Sequence, residues 1–179
     1  MKKRYAFSLA TMLLTMPLKE ISKSSEYSPK KELGVEEAIP KEFSVSENYE
    51  KVIKAIIKQE SRGNPRAYNK GSKASGLMQI TPIVLKEWNQ FHKDEHYSQT
   101  DLFNAKINKK IGEWYIHRLF NHYLLHYEID TTLENLTAAY NWGIGGVVKI
   151  KDAKENFDKL PKETQNYITQ IKKYLEIAN

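Results

Sequence analysis

The sequence predicts a mainly α-helical fold, with a single domain of six or so helices and little or no β-structure. From about residue 47 onward, apolar residues recur at the three- and four-residue spacing of a helix face. No segment carries a convincing strand pattern, and the 66–80 loop is expected to stand where a small hairpin would otherwise lie. The helices are predicted at 47–61, 82–91, 105–127, 132–142, 145–152 and 162–177.

The first helix carries the most informative residue. Val52, Ile53, Ile56 and Ile57 form its apolar face, and Glu60 lies on that same face. Partial burial and the negative end of the helix dipole both disfavour a carboxylate, so the pKa of Glu60 is predicted to lie above its reference of about 4.3. A glutamic acid protonated at neutral pH can be a general acid, which glycosidic bond cleavage requires. From the helix alone, a Glu that turns out to solvent at a frayed end is the more common case.

Capping and turn residues mark where the helices begin and end. Gly63 can take the left-handed conformation that closes the first helix. Thr81 and Pro82 begin the second helix, with a hydroxyl cap and a proline at the first helical position. Thr131-x-x-Glu134 has the pattern of a capping box. The longest helix has a predicted buried stripe, formed by Ile107, Ile111, Trp114, Tyr115 and Leu119.

The N-terminal region predicts an export segment followed by a tether. Residues 1–20 begin with basic side chains and continue with an apolar run too short to span a bilayer comfortably, which is typical of a signal peptide or an uncleaved membrane anchor. A buried helix is the alternative. Residues 21–46 are rich in Lys, Glu and Ser and predict a flexible linker, so the domain is expected at 47–179. Such a protein would be exported to the periplasm or cell envelope, and secreted or anchored there.

Charge and cysteine content narrow the function classes. The chain has no cysteine, which excludes a disulfide framework and a lipid-modified cysteine. Its net charge of +6 suits an anionic polymer, and cell wall, nucleic acid and acidic lipid all qualify. Because the basic residues are scattered among acids, without an Arg-rich helix or zinc-finger spacing, nucleic-acid binding is not favoured.

Several sequence blocks in one order carry a family resemblance. The first joins 60–67 (ESRGNPRA) to 76–82 (GLMQITP), the next is 138–143 (AAYNWG), and the last is 160–168 (LPKETQNYI), with a weaker match across 101–115. Together they resemble the SLT-type lytic transglycosylases, which belong to the lysozyme-like superfamily and are related to goose-type lysozymes. The resemblance covers about 47–179. It implies a lysozyme-like fold and cleavage of peptidoglycan.

The blocks supply the main site residues. The resemblance implies that Glu60 is the catalytic residue, and Gln79 offers an amide that both donates to and accepts from a substrate. Gly76 has no side chain, so the main chain can approach a sugar closely. Tyr140 and Asn141 lie at a helix end, where the resemblance implies that they hold the catalytic carboxyl or the sugar. A core tyrosine would look the same in sequence.

Three further residues are predicted to bind substrate. Met78 lies inside the Gly-Leu-Met-Gln block, although packing accounts for it as well. Many relatives have a Ser between the catalytic Glu and that block; Ser75 is the candidate here, with Asn69 and Ser72 as alternatives. Glu163 lies in the first turn of the last helix, where a capping role is the alternative.

The choice between transglycosylase and hydrolase depends on a second carboxylate. A hydrolase generally needs one, but the loop between Glu60 and Gln79 contains no acid, and Thr81 stands where goose-type lysozymes usually carry Asp. The resemblance implies that Glu60 acts as acid and then base at the MurNAc-GlcNAc bond, giving a 1,6-anhydro sugar. A nucleophile tethered to the substrate has a high effective concentration, so one protein carboxylate can suffice.

Other functions remain as alternatives. A hydrolytic muramidase would need an acid from another loop, and a non-catalytic peptidoglycan-binding module would tolerate loss of Glu60. His92, Glu95 and His96 fit the H-x-x-E-H zinc-protease pattern, but they lie in a polar stretch, so no metal or cofactor is predicted. The predicted partners are peptidoglycan glycan strands, with a secretion, conjugation or other envelope-spanning complex left open. Neither nucleic acid nor membrane contact beyond the N-terminal segment is expected.

Overall fold

Helices form most of the domain, as the sequence predicts. The computed structural model describes residues 44–177, so the predicted export segment and most of the predicted linker lie outside the described residues. The α-helices are α1 (Tyr49–Ser61), α2 (Pro82–Phe91), α3 (Ala105–Arg118), α4 (Leu124–His126), α5 (Leu133–Trp142), α6 (Ile144–Ile150) and α7 (Lys162–Tyr174). Two 3₁₀ helices (Gln99–Phe103 and Phe157–Lys159) and a π-helical turn (Leu119–Tyr123) complete the elements.

The predicted helices are confirmed, with boundaries that differ by at most three residues. The predicted helix 105–127 is α3, the π-helical turn and α4 in one continuous run. Arg118 Nε lies 2.7 Å from Oε1 of Glu87 on α2, and the Tyr123 hydroxyl donates to the same oxygen at 2.5 Å. Residues five apart face different sides of an α-helix but come closer to alignment in a π-turn, so the turn brings both side chains to one carboxylate.

Hydroxyl caps begin α2 and α5. Thr81 caps α2 as predicted, because its Oγ1 accepts from Val84 N at 3.5 Å. The capping box predicted for α5 is wrong: Thr132, one residue past the predicted cap, accepts from Asn135 N at 3.2 Å. Glu134 instead lies 3.2 Å from the ammonium group of Lys172 on α7.

The core brings the end of α1 close to the start of α7. α5 packs against α6 and α7, and α7 packs against α1. Leu136, Ala138 and Ala139 of α5 are fully buried. Val45, which the predicted linker includes, is also buried and packs with this core, so the packed unit begins at least two residues before the predicted domain start at 47.

The segment between α1 and α2 is a loop, as expected in place of a hairpin. Among the described residues, β-type pairing is limited to two isolated bridges, Tyr68 with Ser75 and Ser75 with Ile80. No helix within residues 44–177 is long and apolar enough to cross a bilayer.

Candidate active site

Glu60 lies in the last turn of α1, directly before a sharp change of chain direction. Arg62 has a φ of 54° and ends the helix, and its N–H donates to Lys58 O at 3.2 Å. Gly63 follows with a φ of 81°. The left-handed closure therefore begins one residue before the predicted Gly63. The chain turns away at once, so Glu60 remains on the helix face that packs against α7.

A hydrogen bond from α7 orients the Glu60 carboxyl. The Tyr167 hydroxyl donates to Oε1 of Glu60 at 2.7 Å. Burial is the largest effect on the Glu60 carboxyl and raises its pKa to about 7. The Tyr167 hydrogen bond lowers this pKa, and the negative charge of Glu163 raises it. The predicted upward shift is confirmed, and burial is its main cause. A carboxyl with this pKa exchanges a proton readily near neutral pH.

Tyr167 was not among the predicted site residues. It lies on the buried face of α7 with Thr164, Ile168 and Ile171, so by spacing it resembles a core residue. The available signal was chemical: a phenol on an otherwise apolar face needs a partner when buried. Burial, followed by the charge of Glu60, raises the pKa of Tyr167 well above its usual value, so it remains a hydrogen-bond donor.

Glu163 lies in the first turn of α7, as predicted, and its side chain is exposed. Its negative charge contributes to the raised pKa of Glu60. Asn141, at the end of α5, accepts a hydrogen bond at Oδ1 from the Thr164 hydroxyl at 2.9 Å. The two residues therefore lie on neighbouring elements around the start of α7.

The Gly-Leu-Met-Gln block forms a tight turn that presents Gln79. Gln79 has a φ of 47°, and its Nε2 donates to Ala67 O at 3.2 Å and to Gly76 O at 3.0 Å. Because the amide N–H groups are used within the loop, the carbonyl Oε1 is the part of this side chain that can accept a further hydrogen bond.

Asn108 of α3 holds this turn and was also missed by the sequence analysis. Its Oδ1 accepts from Met78 N at 2.8 Å, and its Nδ2 donates to Ser75 O at 2.7 Å and to Leu102 O at 2.9 Å. A Cβ on Gly76 would collide with Asn108 Nδ2 and Leu102 O. The close approach that the missing side chain of Gly76 allows is therefore an approach to Asn108 and Leu102 inside the protein.

Two predicted substrate contacts lie in the interior. Met78 and Ser75 are both 0% exposed. The Ser75 hydroxyl accepts from Gln99 Nε2 at 2.8 Å, and Met78 packs against Gly112, where an added Cβ would collide with its sulfur. Neither side chain is available to a substrate at the surface. Their placement favours a role in supporting the loop.

Tyr140 also supports the loop. Its hydroxyl donates to Met78 O at 2.6 Å, so it is Tyr167, and not Tyr140, that bonds the Glu60 carboxyl. Burial and the nearby Glu60 charge raise the pKa of Tyr140 well above its usual value. Tyr140 therefore couples the end of α5 to the turn that carries Gln79.

The H-x-x-E-H segment does not form a zinc site in the structure. It lies beyond the end of α2, where His92 stacks on Trp88 with ring centroids 3.6 Å apart. Glu95 accepts from the ammonium group of Lys110 at 2.5 Å and from the Tyr97 hydroxyl at 2.5 Å. Within residues 44–177, no group of three or more His, Cys, Asp or Glu side chains is arranged to hold a metal ion.

The family model described as Transglycosylase SLT domain matches residues 37–163. The chain belongs to this family. The SLT domain match includes Glu60, the Gln79 turn and Glu163, but it ends before Tyr167.

Proteins of similar sequence and structure are named as lytic transglycosylases. The chain is 32% identical over 126 residues to membrane-bound lytic murein transglycosylase E of Buchnera aphidicola subsp. Acyrthosiphon pisum (strain APS), covering 69% of this chain and 54% of that protein. It thus spans about half the length of this curated relative. The 70 kDa soluble lytic transglycosylase of Escherichia coli aligns with a TM-score of 0.59 and 27% identity, over 69% of this chain and 20% of that one.

A second solved structure agrees in fold. It is an inactive mutant of the lytic transglycosylase Slt from Pseudomonas aeruginosa, which aligns with a TM-score of 0.55 and 23% identity over 73% of this chain and 22% of that one. The helical, lysozyme-like fold predicted for the SLT domain is therefore confirmed.

Proposed function

We propose that the chain is a peptidoglycan lytic transglycosylase, which cleaves the MurNAc-GlcNAc β-1,4 bond and forms 1,6-anhydro-MurNAc. The observation that carries the proposal is Glu60, whose pKa burial raises to about 7 and whose carboxyl Tyr167 orients at 2.7 Å. A carboxyl with this pKa can give up a proton and take one back at neutral pH. The names of the relatives, all lytic transglycosylases, support the same reaction class.

In the proposed first step, Glu60 protonates the bridging oxygen while the bond between that oxygen and C1 of MurNAc breaks. The bridging oxygen leaves as a hydroxyl on GlcNAc. The carbonyl oxygen of the substrate's N-acetyl group supplies the electron pair that bonds to C1. The Glu60 carboxylate formed here keeps its hydrogen bond from Tyr167, which stabilises the negative charge.

In the second step, Glu60 removes the proton from the 6-hydroxyl of the same MurNAc. That oxygen bonds to C1 and displaces the N-acetyl oxygen, so Glu60 regains its proton and no water enters. Because the 6-hydroxyl is tethered to the reacting ring, its effective concentration is high. One protein carboxylate therefore suffices, which agrees with the absence of any acid between Glu60 and Gln79.

Gln79 and Asn141 are the proposed contacts to the glycan strand, through the carbonyl of the former and the amide N–H groups of the latter. Glu163 is proposed to border the bound strand, because it is exposed beside Glu60. Met78, Ser75 and Tyr140 are proposed to act indirectly, since their contacts hold the turn that presents Gln79.

The proposed location is the periplasm or cell envelope, after export. It rests on the N-terminal signal-like pattern, on the substrate's location there, and on a relative named as membrane-bound. A secretion, conjugation or other envelope-spanning complex stays a predicted partner.

Hydrolysis is a second candidate, because Glu163 is a second carboxylate close enough for its charge to raise the Glu60 pKa. If Glu163 activated water, the protein would be a muramidase. The products would then carry one added water. One feature weighs against this: Glu163 is solvent-exposed.

Product mass distinguishes the candidates. The full chain, Glu60→Gln and the control Glu50→Gln are incubated with isolated peptidoglycan, and released fragments are weighed by mass spectrometry. Glu50 is exposed in the first turn of the same helix, so it controls for a lost carboxylate. We expect wild type and the control to release fragments one water lighter than hydrolysis products, and Glu60→Gln to release none. Hydrated fragments would identify a muramidase, and binding without any release would identify a non-catalytic module.

A further inference from the structure

The charged side chains in the loop that follows Glu60 are all basic. Residues 61–86 include two arginines and three lysines but no Asp or Glu. Four of these cations, Arg62, Arg66, Lys70 and Lys73, lie between Glu60 and Gln79. We call these four residues the basic edge. The whole chain has 28 basic and 22 acidic side chains, so a segment without acids is a local feature.

Hydrogen bonds of the main chain and of the Asn69 and Gln79 side chains hold this loop together. Ala67 O accepts from Gly76 N at 2.8 Å as well as from the Gln79 amide. Further along the loop, Asn69 N donates to Ala74 O at 2.9 Å, and Asn69 Oδ1 accepts from Gly71 N at 2.9 Å. The main chain that carries Arg66, Lys70 and Lys73 is therefore tied to the turn that carries Gln79, and Arg62 is fixed at the end of α1 by the bond from its N–H to Lys58 O at 3.2 Å.

The side chains of the basic edge are exposed and make no ion pair within residues 44–177. Elsewhere Lys110 and Arg118 pair with carboxylates. One acid lies on the element that contacts this loop, since Gln99 Nε2 donates to Lys73 O at 2.8 Å and Asp101 follows in the same 3₁₀ helix. Its carboxylate accepts from the N–H and hydroxyl of Ser98 at 2.7 and 2.6 Å. The positive charge of the basic edge is therefore not neutralised by an ion pair within residues 44–177 and can attract an anionic ligand.

We propose that the basic edge binds the carboxylates of the peptide stems that the glycan strand carries, so that this chain prefers peptidoglycan with free stem carboxylates over amidated peptidoglycan. This inference rests on the proposed function. Each contact is a solvent-exposed ion pair and weak alone, so the preference comes from several cations meeting several carboxylates. A membrane surface fits less well, because the loop is not an amphipathic helix and Tyr68 is the large apolar side chain that it exposes.

A binding experiment isolates carboxylate recognition. Peptidoglycan is first acetylated on its amines, and half is then amidated on its carboxylates with a carbodiimide and ammonia, which leaves the glycan bonds intact. Binding of full-length Glu60→Gln to both forms is measured by sedimentation at low and high salt. Two further proteins carry Glu60→Gln with four more substitutions. The test variant adds R62Q, R66Q, K70Q and K73Q, and the charge-matched control adds K51Q, K54Q, K93Q and K173Q.

We expect amidation to weaken binding of Glu60→Gln at least about fivefold at low ionic strength, with a smaller effect at high salt. The test variant should bind both forms equally, whereas the control should keep the preference. The proposal is overturned if the test variant still prefers the carboxylate form, or if the control loses the preference to the same extent. The proposal is also overturned if the test variant binds less to vesicles rich in acidic lipid but keeps its preference for the carboxylate form of peptidoglycan.

The catalytic proposal is tested separately. Wild type is incubated with both peptidoglycan forms and the fragments are weighed. Anhydro fragments without a carboxylate preference support the catalytic proposal and overturn the inference about the basic edge. A carboxylate preference in binding without any released fragment overturns the catalytic proposal and supports the basic edge.

Discussion

The Tyr167 hydroxyl donates a 2.7 Å hydrogen bond to Glu60 across a sequence separation of 107 residues. The bond joins the last turn of α1 to the middle of α7, and α7 also packs against α5. The orientation of the candidate acid therefore depends on how the last helix docks. It also means that the carboxyl has a defined partner in both of its protonation states.

Tyr167→Phe removes this donor and leaves the ring in place. The hydrogen bond lowers the pKa of Glu60, so its loss should raise that pKa above about 7 and move the high-pH limb of the rate profile upward. We also expect kcat/KM to fall about 10- to 100-fold, since a hydrogen bond to a charged group contributes roughly 1.5 to 3 kcal/mol. The measurement is the pH dependence of fragment release.

Tyr49→Phe is the matched control, because it removes a hydroxyl that donates to Glu113 O at 2.7 Å, away from Glu60. Its pH profile should match that of wild type. An unshifted profile in Tyr167→Phe would show that the hydrogen bond does not influence ionisation of Glu60.

Glu60→Gln should stabilise the fold at high pH. In the unfolded chain Glu60 loses its proton near 4.5, but in the folded chain only near 7, so wild-type stability falls as pH rises through this window. Glutamine does not ionise and escapes this loss. We expect the variant to be similar to wild type near about pH 4 and more stable by about 1 to 3 kcal/mol near about pH 8. Denaturant unfolding at both pH values measures the difference, and an equal difference at both would contradict a raised pKa.

Glu163→Gln should move the high-pH limb in the opposite direction to Tyr167→Phe. The charge of Glu163 raises the pKa of Glu60, so its removal should lower that pKa. Because Glu163 is exposed, salt screens its charge. The shift in the Glu60 pKa should therefore become smaller as the salt concentration approaches about 0.1 M, where the screening length is about 10 Å. Glu50→Gln, at the opposite end of α1, should leave the profile in place. Loss of all fragment release in Glu163→Gln would instead favour its role as the second carboxylate of a muramidase.

Local patterns predicted much of this fold, and long-range contacts explain what they missed. The apolar face of α1 and the turn after it are written in neighbouring residues, so Glu60 and its raised pKa were predictable. The partner of Glu60 was not, because Tyr167 has the spacing of a core residue. Asn108 was not predicted either, because a buried amide within a helix gives no sign of which loop it holds.

The π-helical turn shows a different limit. The periodicity of 105–127 predicts one helix, and the run is continuous. Its π-helical turn coincides with a contact to another helix, where Arg118 and Tyr123 share the Glu87 carboxylate. The sequence pattern of one helix carries no information about that shared partner.

Two glycines with nearly the same backbone separate the cost of conformation from the cost of packing. Gly63 and Gly76 have φ values of 81° and 78°, so an alanine at either position strains the backbone by about 1 kcal/mol. A Cβ at Gly63 has no atom within 4 Å, whereas at Gly76 it meets Leu102 O and Asn108 Nδ2. A main-chain oxygen cannot turn aside as the end of a flexible side chain can, so the Gly76 turn itself must move.

Gly76→Ala should therefore lower the free energy of unfolding by at least about 2 kcal/mol more than Gly63→Ala, as measured by denaturant titration. It should also lower kcat/KM in the fraction that remains folded, because displacing Gly76 breaks the support of Met78 by Asn108 and shifts Gln79. Gly63→Ala should keep its activity with only the backbone penalty. Equal destabilisation by the two alanines would mean that the contact with Asn108 does not hold the turn, and the proposed indirect role of Met78 and Ser75 would fail with it.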